Sequence, residues 1–249
     1  MVAKNLRMAF PDKTEAERQE IAIAFYHQFC DTIVESLYGW HQSNEQLRPH
    51  MIFENMEEVN RLIDAAGGGL FTLAHMGNWE WMATMQNWVS PGVKEINVYR
   101  RLKNAQTDRI MLALRAQRGG VCVEKQRILR EMIRYRNEKQ PVIVGLLSDQ
   151  KPRPEVTRVW LPFLHQETGF LDGAEVLARK FGYPVFYVFL TRTARGYYKG
   201  EVRILAADPK TTSEGEITAA YVKALEENIR TQPELWLWTH NRFKWTKPA

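Results

Sequence analysis

Gly69-Leu70-Phe71-Thr72-Leu73-Ala74-His75-Met76-Gly77-Asn78-Trp79-Glu80-Trp81 carries a short apolar run into a histidine, a glycine and then a carboxylate. The first six residues read as a buried strand. Trp81 to Trp88 read as a helix, so His75 stands at the end of a strand and Glu80 in the first turn of the helix after it. On one continuous helix, positions five apart are rotated by roughly 140° and cannot face each other. A turn at Gly77-Asn78, where glycine tolerates positive φ, lets the two side chains converge. A carboxylate that accepts the Nδ1 proton fixes the tautomer and raises the basicity of the ring. Nε2 can then take a proton from an attacking hydroxyl. No Gly-x-Ser-x-Gly elbow occurs and neither cysteine is close, so the hydroxyl is expected to belong to a substrate. That chemistry is acyl transfer.

Beyond this segment, short apolar runs alternate with helical patterns. Strands are expected at 70–74, 96–99, 121–123, 141–147, 185–191 and 198–204. Helices are expected at 80–88, 105–117, 126–137, 173–181 and 214–230. This alternation predicts an α/β fold with a mostly parallel central sheet flanked by helices. The turn Ala194-Arg195-Gly196 predicts an antiparallel hairpin at one side of it. Upstream the chain reads as helical. Thr14 and Glu17 form a capping box, Ile21, Phe25, Phe29, Ile33 and Leu37 recur at four-residue spacing as an apolar face, and 55–66 is a second amphipathic helix closed by Gly67-Gly68-Gly69. No linker divides the chain. One domain over 1–249 is expected, with a helical N-terminal part over 1–66 and an α/β catalytic core over 67–249.

Composition narrows the function classes. An apolar content of 45% in 249 residues supports a large core. The net charge of +5 is too modest to mark a nucleic-acid binder, and none is expected as partner, but it favours acidic partners. Cys30 and Cys122 stand too far apart in sequence to suggest a disulfide framework. The longest apolar runs, 142–147 and 185–190, fall far short of the ~20 residues that span a bilayer. Aromatic and basic residues interleave in Trp236-Leu237-Trp238-Thr239-His240-Asn241-Arg242-Phe243-Lys244-Trp245, a composition suited to a membrane interface as well as to ordinary packing.

Other polar groups stand at strand ends, where open α/β sheets gather ligands. Arg100, Arg101 and Lys103 follow one strand and can hold a phosphate or carboxylate, or simply be solvated. Ser148-Asp149-Gln150 ends another. A carboxylate there needs a partner, expected to be Arg100 or the substrate site, unless Asp149 only makes a turn before Pro152. Thr168 is expected to line an acyl channel or donate a hydrogen bond, Arg192 to add to the anion site, and His240 with Arg242 to fold back over the cleft. No His-Glu-x-x-His or Cys-x-x-Cys spacing occurs and no glycine-rich phosphate loop succeeds a strand, so neither metal nor cofactor is expected.

Taken together, these residues resemble the bacterial lipid A biosynthesis (lauroyl and myristoyl) acyltransferases, within the lysophospholipid and glycerolphosphate acyltransferase superfamily. His75 and Glu80 match the histidine–acid hallmark, with Glu in place of the commoner Asp. Asn5 with Phe10-Pro11, Tyr99-Arg100 with Lys103-Asn104, Arg115 with Gly119, Asp149-Gln150, Phe163, Thr168, Pro184-Val185, Arg192 and His240 to Lys244 match in the same order. The resemblance implies transfer of a fatty acyl group from acyl carrier protein or coenzyme A to a hydroxyl of a phosphorylated lipid A precursor or related lipid. His75 would be the base and Glu80 its orienting acid. Asn78, Arg100, Lys103, Asp149, Gln150, Thr168 and Arg192 would contact substrate. It implies a peripheral protein at the cytoplasmic face of the bacterial inner membrane, and a monomer is expected. His165 stands where the family often has a small residue. A lipid-binding module without catalysis, or a hydrolase using the same pair on water, are the competing readings.

Overall fold

The structure, a computed structural model, describes residues 1–245; the last four positions of the expected 1–249 domain lie outside the described residues. Its centre is a seven-stranded sheet in the order β1-β9-β8-β2-β5-β3-β4. In chain order these are β1 (Met51–Glu54), β2 (Gly68–Leu73), β3 (Lys94–Tyr99), β4 (Val121–Glu124), β5 (Val142–Leu147), β8 (Val185–Ala194) and β9 (Tyr197–Ala206). Every pairing is parallel except β8 with β9, the expected hairpin. A separate antiparallel pair, β6 (Val159–Phe163) and β7 (Gln166–Phe170), had no clear alternation to announce it. The α/β class is therefore observed as expected.

β2 shows why the central strands read as unbroken apolar runs. All six of its residues are buried, because core lies on both faces of the sheet. Leu70, Val142, Val144 and Val185 face one side with Leu177, Ala178 and Phe181 of α7 (Gly173–Phe181) and Met132 of α6 (Ile128–Asn137). Phe71, Leu73, Ile143 and Phe186 face the other, with Leu225 and Ile229 of α8 (Glu216–Thr231) and the tail aromatics Trp236 and Trp238. The alternation is the period of two that a pleated strand imposes.

The N-terminal part is less purely helical than its pattern suggests. α1 (Val2–Ala9), α2 (Glu15–Trp40), α3 (Asn44–Leu47) and α4 (Met56–Ala66) are helices, but β1 lies among them and pairs with β9 at the sheet edge. The Thr14 capping box forms as read, with the Thr14 amide donating to Glu17 at 2.7 Å and the Glu17 amide donating to the Thr14 hydroxyl at 3.3 Å.

The apolar face expected on α2 does not hold along its length. Phe25 is buried, while Ile33 and Leu37 are 51% and 58% exposed. Four-residue steps advance roughly 400°, so such a stripe drifts about 40° per step and turns away from the core. α2 instead buries Gln28, Asp31, Thr32 and Glu35, and it exposes Ile23, Tyr26, Ile33, Val34, Leu37 and Tyr38. Among the described residues no helix is long and apolar enough to cross a membrane.

Candidate active site

β2 and β5 are parallel neighbours in register, Leu73 opposite Leu147. His75 and Asp149 each stand two residues past that pair, so both leave the same edge of the sheet on adjacent strands. The Ser148 amide donates to the Leu73 carbonyl at 3.0 Å and extends the ladder to that point. Parallel strands roughly 4.8 Å apart then bring the two side chains into contact without a special loop.

The contact is short. His75 Nδ1 lies 2.6 Å from Asp149 Oδ1, and the His75 amide donates to Oδ2 at 3.0 Å. Trp236 Nε1 donates to the same Oδ2 at 2.9 Å. Asp149 is buried, 3% exposed, with both oxygens engaged. Burial alone would raise its pKa, but the adjacent His75 and these hydrogen bonds hold it well below the usual carboxylate range. For His75, burial disfavours the imidazolium, yet the Asp149 charge and hydrogen bond outweigh it and raise the ring's pKa above 6.5. With Nδ1 donating to Asp149, Nε2 keeps its lone pair outward. The Gln150 amide reaches that nitrogen at 3.4 Å.

Nδ1 thus faces Asp149, where the sequence pointed to Glu80. Glu80 turns instead to Arg115 of α5 (Ala105–Ala116), which donates from Nε and Nη2 at 2.8 Å each, a bidentate pair. Trp79 Nε1 donates to Glu80 at 3.2 Å, and the Trp79 ring stands edge-on to His75 at 5.4 Å between centroids. The expected α-helix over 80–88 is a 3-10 helix over Trp79–Asn87, with Trp81 to Met85 buried. Glu80 still acts on the ring through space, its charge favouring and Arg115 opposing the imidazolium.

The turn between them is built as read. Gly77 has φ +50°, and a Cβ there would lie 2.8 Å from the Tyr198 ring. Its amide donates to the Leu235 carbonyl at 2.9 Å, and the Leu237 amide donates to the His75 carbonyl at 3.0 Å. The tail therefore straps the loop to the sheet, through residues just ahead of His240 and Arg242. α2 holds it from the other side: Thr32 donates to the Gly77 carbonyl at 3.2 Å and Asn78 Nδ2 to Glu35 at 3.0 Å.

The other expected contacts divide. Gln150 sits beside His75 Nε2. Asn78 is fully buried against Glu35 and faces inward rather than toward substrate. Asp149 pairs with His75 and not with Arg100, which is exposed, as is Lys103, on the loop after β3. Arg192 turns to α2, 2.5 Å from Gln28 and 3.8 Å from Asp31, a carboxylate that Arg195 also engages at 2.6 Å. Thr168 is buried on β7 with its hydroxyl donating to the Gln166 carbonyl at 3.0 Å. The roles missed were those of Trp236, noted only as the start of the aromatic and basic stretch, and Arg115, which stood among the family-like positions without a role.

A histidine held by a buried carboxylate, with its second nitrogen turned to the side-chain amide of Gln150, can act chemically as a general base. Because its pKa is raised, the ring is neutral only at higher pH. The kcat/KM of the free enzyme is expected to rise with pH through an apparent pKa above 6.5 and to fall away below it. A profile flat from pH 5 to 8 contradicts the assignment.

The family model described as "Bacterial lipid A biosynthesis acyltransferase" matches residues 1–245. The chain is 24% identical to the lipid A biosynthesis lauroyltransferase of Escherichia coli (strain K12) over all of its own length and 79% of that protein. It is 23% identical to the lipid A biosynthesis palmitoleoyltransferase of the same strain, over 99% of this chain and 78% of that one. A lipid A biosynthesis acyltransferase of Shigella flexneri matches to the same extent.

Proposed function

The chain belongs to the bacterial lipid A biosynthesis acyltransferase family, and from that membership we propose that it moves a fatty acyl group from a carrier thioester to a hydroxyl of a lipid A precursor, with His75 as base. The observation that carries the reading is the Asp149–His75 contact at 2.6 Å, which leaves Nε2 facing the Gln150 side-chain amide at 3.4 Å. The acceptor O–H gives its proton to Nε2 as its oxygen attacks the thioester carbonyl. The tetrahedral intermediate expels the thiolate, which takes the proton back from the imidazolium. Asp149 stabilises that transient cation, and Trp236 and the His75 amide keep the carboxylate in place. Gln150 lies close enough to Nε2 to donate to an oxygen brought there.

Donor and location are part of the proposal. An acidic acyl carrier protein suits a chain of net charge +5, and coenzyme A is the other thioester of the same class. The apolar residues that α2 turns outward, next to the loop it braces, support work at the membrane surface as a peripheral protein. The whole of 1–249 acts as one catalytic domain in this reading, as a monomer at the cytoplasmic face of the inner membrane.

The test is transfer of labelled acyl chains from acyl carrier protein, and in parallel from coenzyme A, to lipid A precursor. Wild-type protein is expected to yield acylated lipid, and His75→Ala to lose about 10²–10⁴-fold of that rate. Free fatty acid in place of acylated lipid, with acceptor present, would assign the pair to hydrolysis. Near-normal transfer by His75→Ala would remove the base.

A further inference from the structure

Beside the dyad, on the tail segment and the loop after β5, the molecule gathers positive charge that it does not neutralise. Arg242 is 2% exposed and makes no ion pair with a carboxylate among the described residues. Its guanidinium lies 4.4 Å from the Phe170 ring centroid, Nη2 donates to the Gly169 carbonyl at 2.8 Å, and Nε has no partner at all. Burial, only partly offset by Asp149, lowers its pKa to about 10. Lys151 stands two residues after Asp149, and Lys244 two after Arg242. Their ammonium groups flank one ring, 5.9 Å and 4.2 Å from the centroid of Trp245. Neither makes an ion pair among the described residues. Burial and then the neighbouring Lys244 and Arg242 lower the pKa of Lys151. His240, near enough to feel the charges of Lys151, Asp149 and Arg242, is pushed down to about 4 by burial and by Lys151, and is neutral at physiological pH.

Three cations against one nearby carboxylate leave an excess of two positive charges. In this arrangement the burial of Arg242 without a carboxylate partner is costly, whereas Lys151 and Lys244 keep contact with solvent. The backbone is pre-set: Asn5 Nδ2 donates to the carbonyls of Trp238 and His240 at 2.8 Å each, so the segment keeps its shape. A single carboxylate would offset half of the excess. A phosphate, with up to two charges and several oxygens, matches both the charge and the spread of donors.

We propose that Lys151, Arg242 and Lys244, with His240, form a phosphate-binding site that seats a phosphorylated part of one substrate next to His75. The site builds on the transferase reading only in which molecule brings the phosphate: the phosphopantetheine arm of the donor or the headgroup of the acceptor lipid. Lys151 and Lys244 reach solvent, so their replacement leaves the core intact.

Lys151→Gln, Lys244→Gln and the double variant are compared with wild-type protein, with unchanged melting temperature as the control for folding. Inorganic phosphate is titrated calorimetrically, a readout independent of turnover. Its affinity is expected to fall about tenfold for each lysine removed, the effect of losing one charge-assisted hydrogen bond. In the second arm, KM is measured for acyl-coenzyme A against acyl-pantetheine, which lacks the phosphates, and for acceptor lipid with and without its phosphate. A rise of about tenfold confined to one phosphorylated substrate, with kcat largely kept, supports the site and identifies the source. Absence of phosphate binding to wild-type protein overturns it, as does equal affinity in wild type and double variant, or KM values unchanged for both substrates. If wild-type protein binds phosphate through these lysines but transfers to no lipid, the transferase reading fails and the anion site stands.

Discussion

Asp149→Asn lowers kcat by about 10³–10⁴-fold while the protein remains folded and still binds donor. The change is isosteric, so Trp236 and the His75 amide keep a partner oxygen. What is lost is the charge against Nδ1. An amide can present its NH₂ to that nitrogen, which moves the ring proton to Nε2 and leaves no lone pair for the acceptor hydroxyl; loss of the orienting carboxylate in a triad of this logic has an effect of this size. The apparent pKa of kcat/KM should fall in the variant, because burial, which disfavours the imidazolium, then acts unopposed by Asp149. Single-turnover transfer and a pH profile of the variant check both points. A loss under tenfold would place the orienting carboxylate elsewhere, with Glu80 the first alternative.

Glu80→Ala acts mainly on stability. Glu80 is 9% and Arg115 23% exposed at the side chain, and each of the two Arg115 donors meets its own Glu80 oxygen at 2.8 Å. Removing the carboxylate leaves a guanidinium largely out of water with no counter-charge, which costs about 3 kcal/mol. For a chain of this size that corresponds to a fall in Tm of about 6–12 °C. Glu80→Ala combined with Arg115→Leu should recover most of it, since the stranded charge is gone. Thermal melts of the two single variants and the double variant measure the coupling directly. If Glu80→Ala melts with wild type, the pair contributes nothing to the fold, and Glu80 is held for chemistry alone.

The expectation for Glu80 shows how far local reading reached. His75 at a strand end and the positive-φ turn at Gly77 were legible, because each depends on neighbours a few residues away. The partner of Nδ1 was not. It is 74 positions along the chain and arrives by strand pairing, while the nearer carboxylate is diverted by Arg115 on α5. Arg192 was placed by a similar long-range contact: its strand end lies over the buried polar face of α2, where its guanidinium meets Gln28 and Asp31. That face was itself hidden by a four-residue spacing that imitates a stripe but winds around the helix.

The parallel sheet, its hairpin side and the histidine that ends β2 are written in the residues themselves, since a strand buried on both faces has to be an unbroken apolar run. The carboxylate at the end of β5 is marked there too, but its partner is not. That Asp149 holds His75, that Glu80 braces Arg115 and that α2 turns its apolar side outward emerge only once the chain is packed. Register between distant strands and the angular phase of a long helix are properties of the assembled molecule. No short window of residues specifies them.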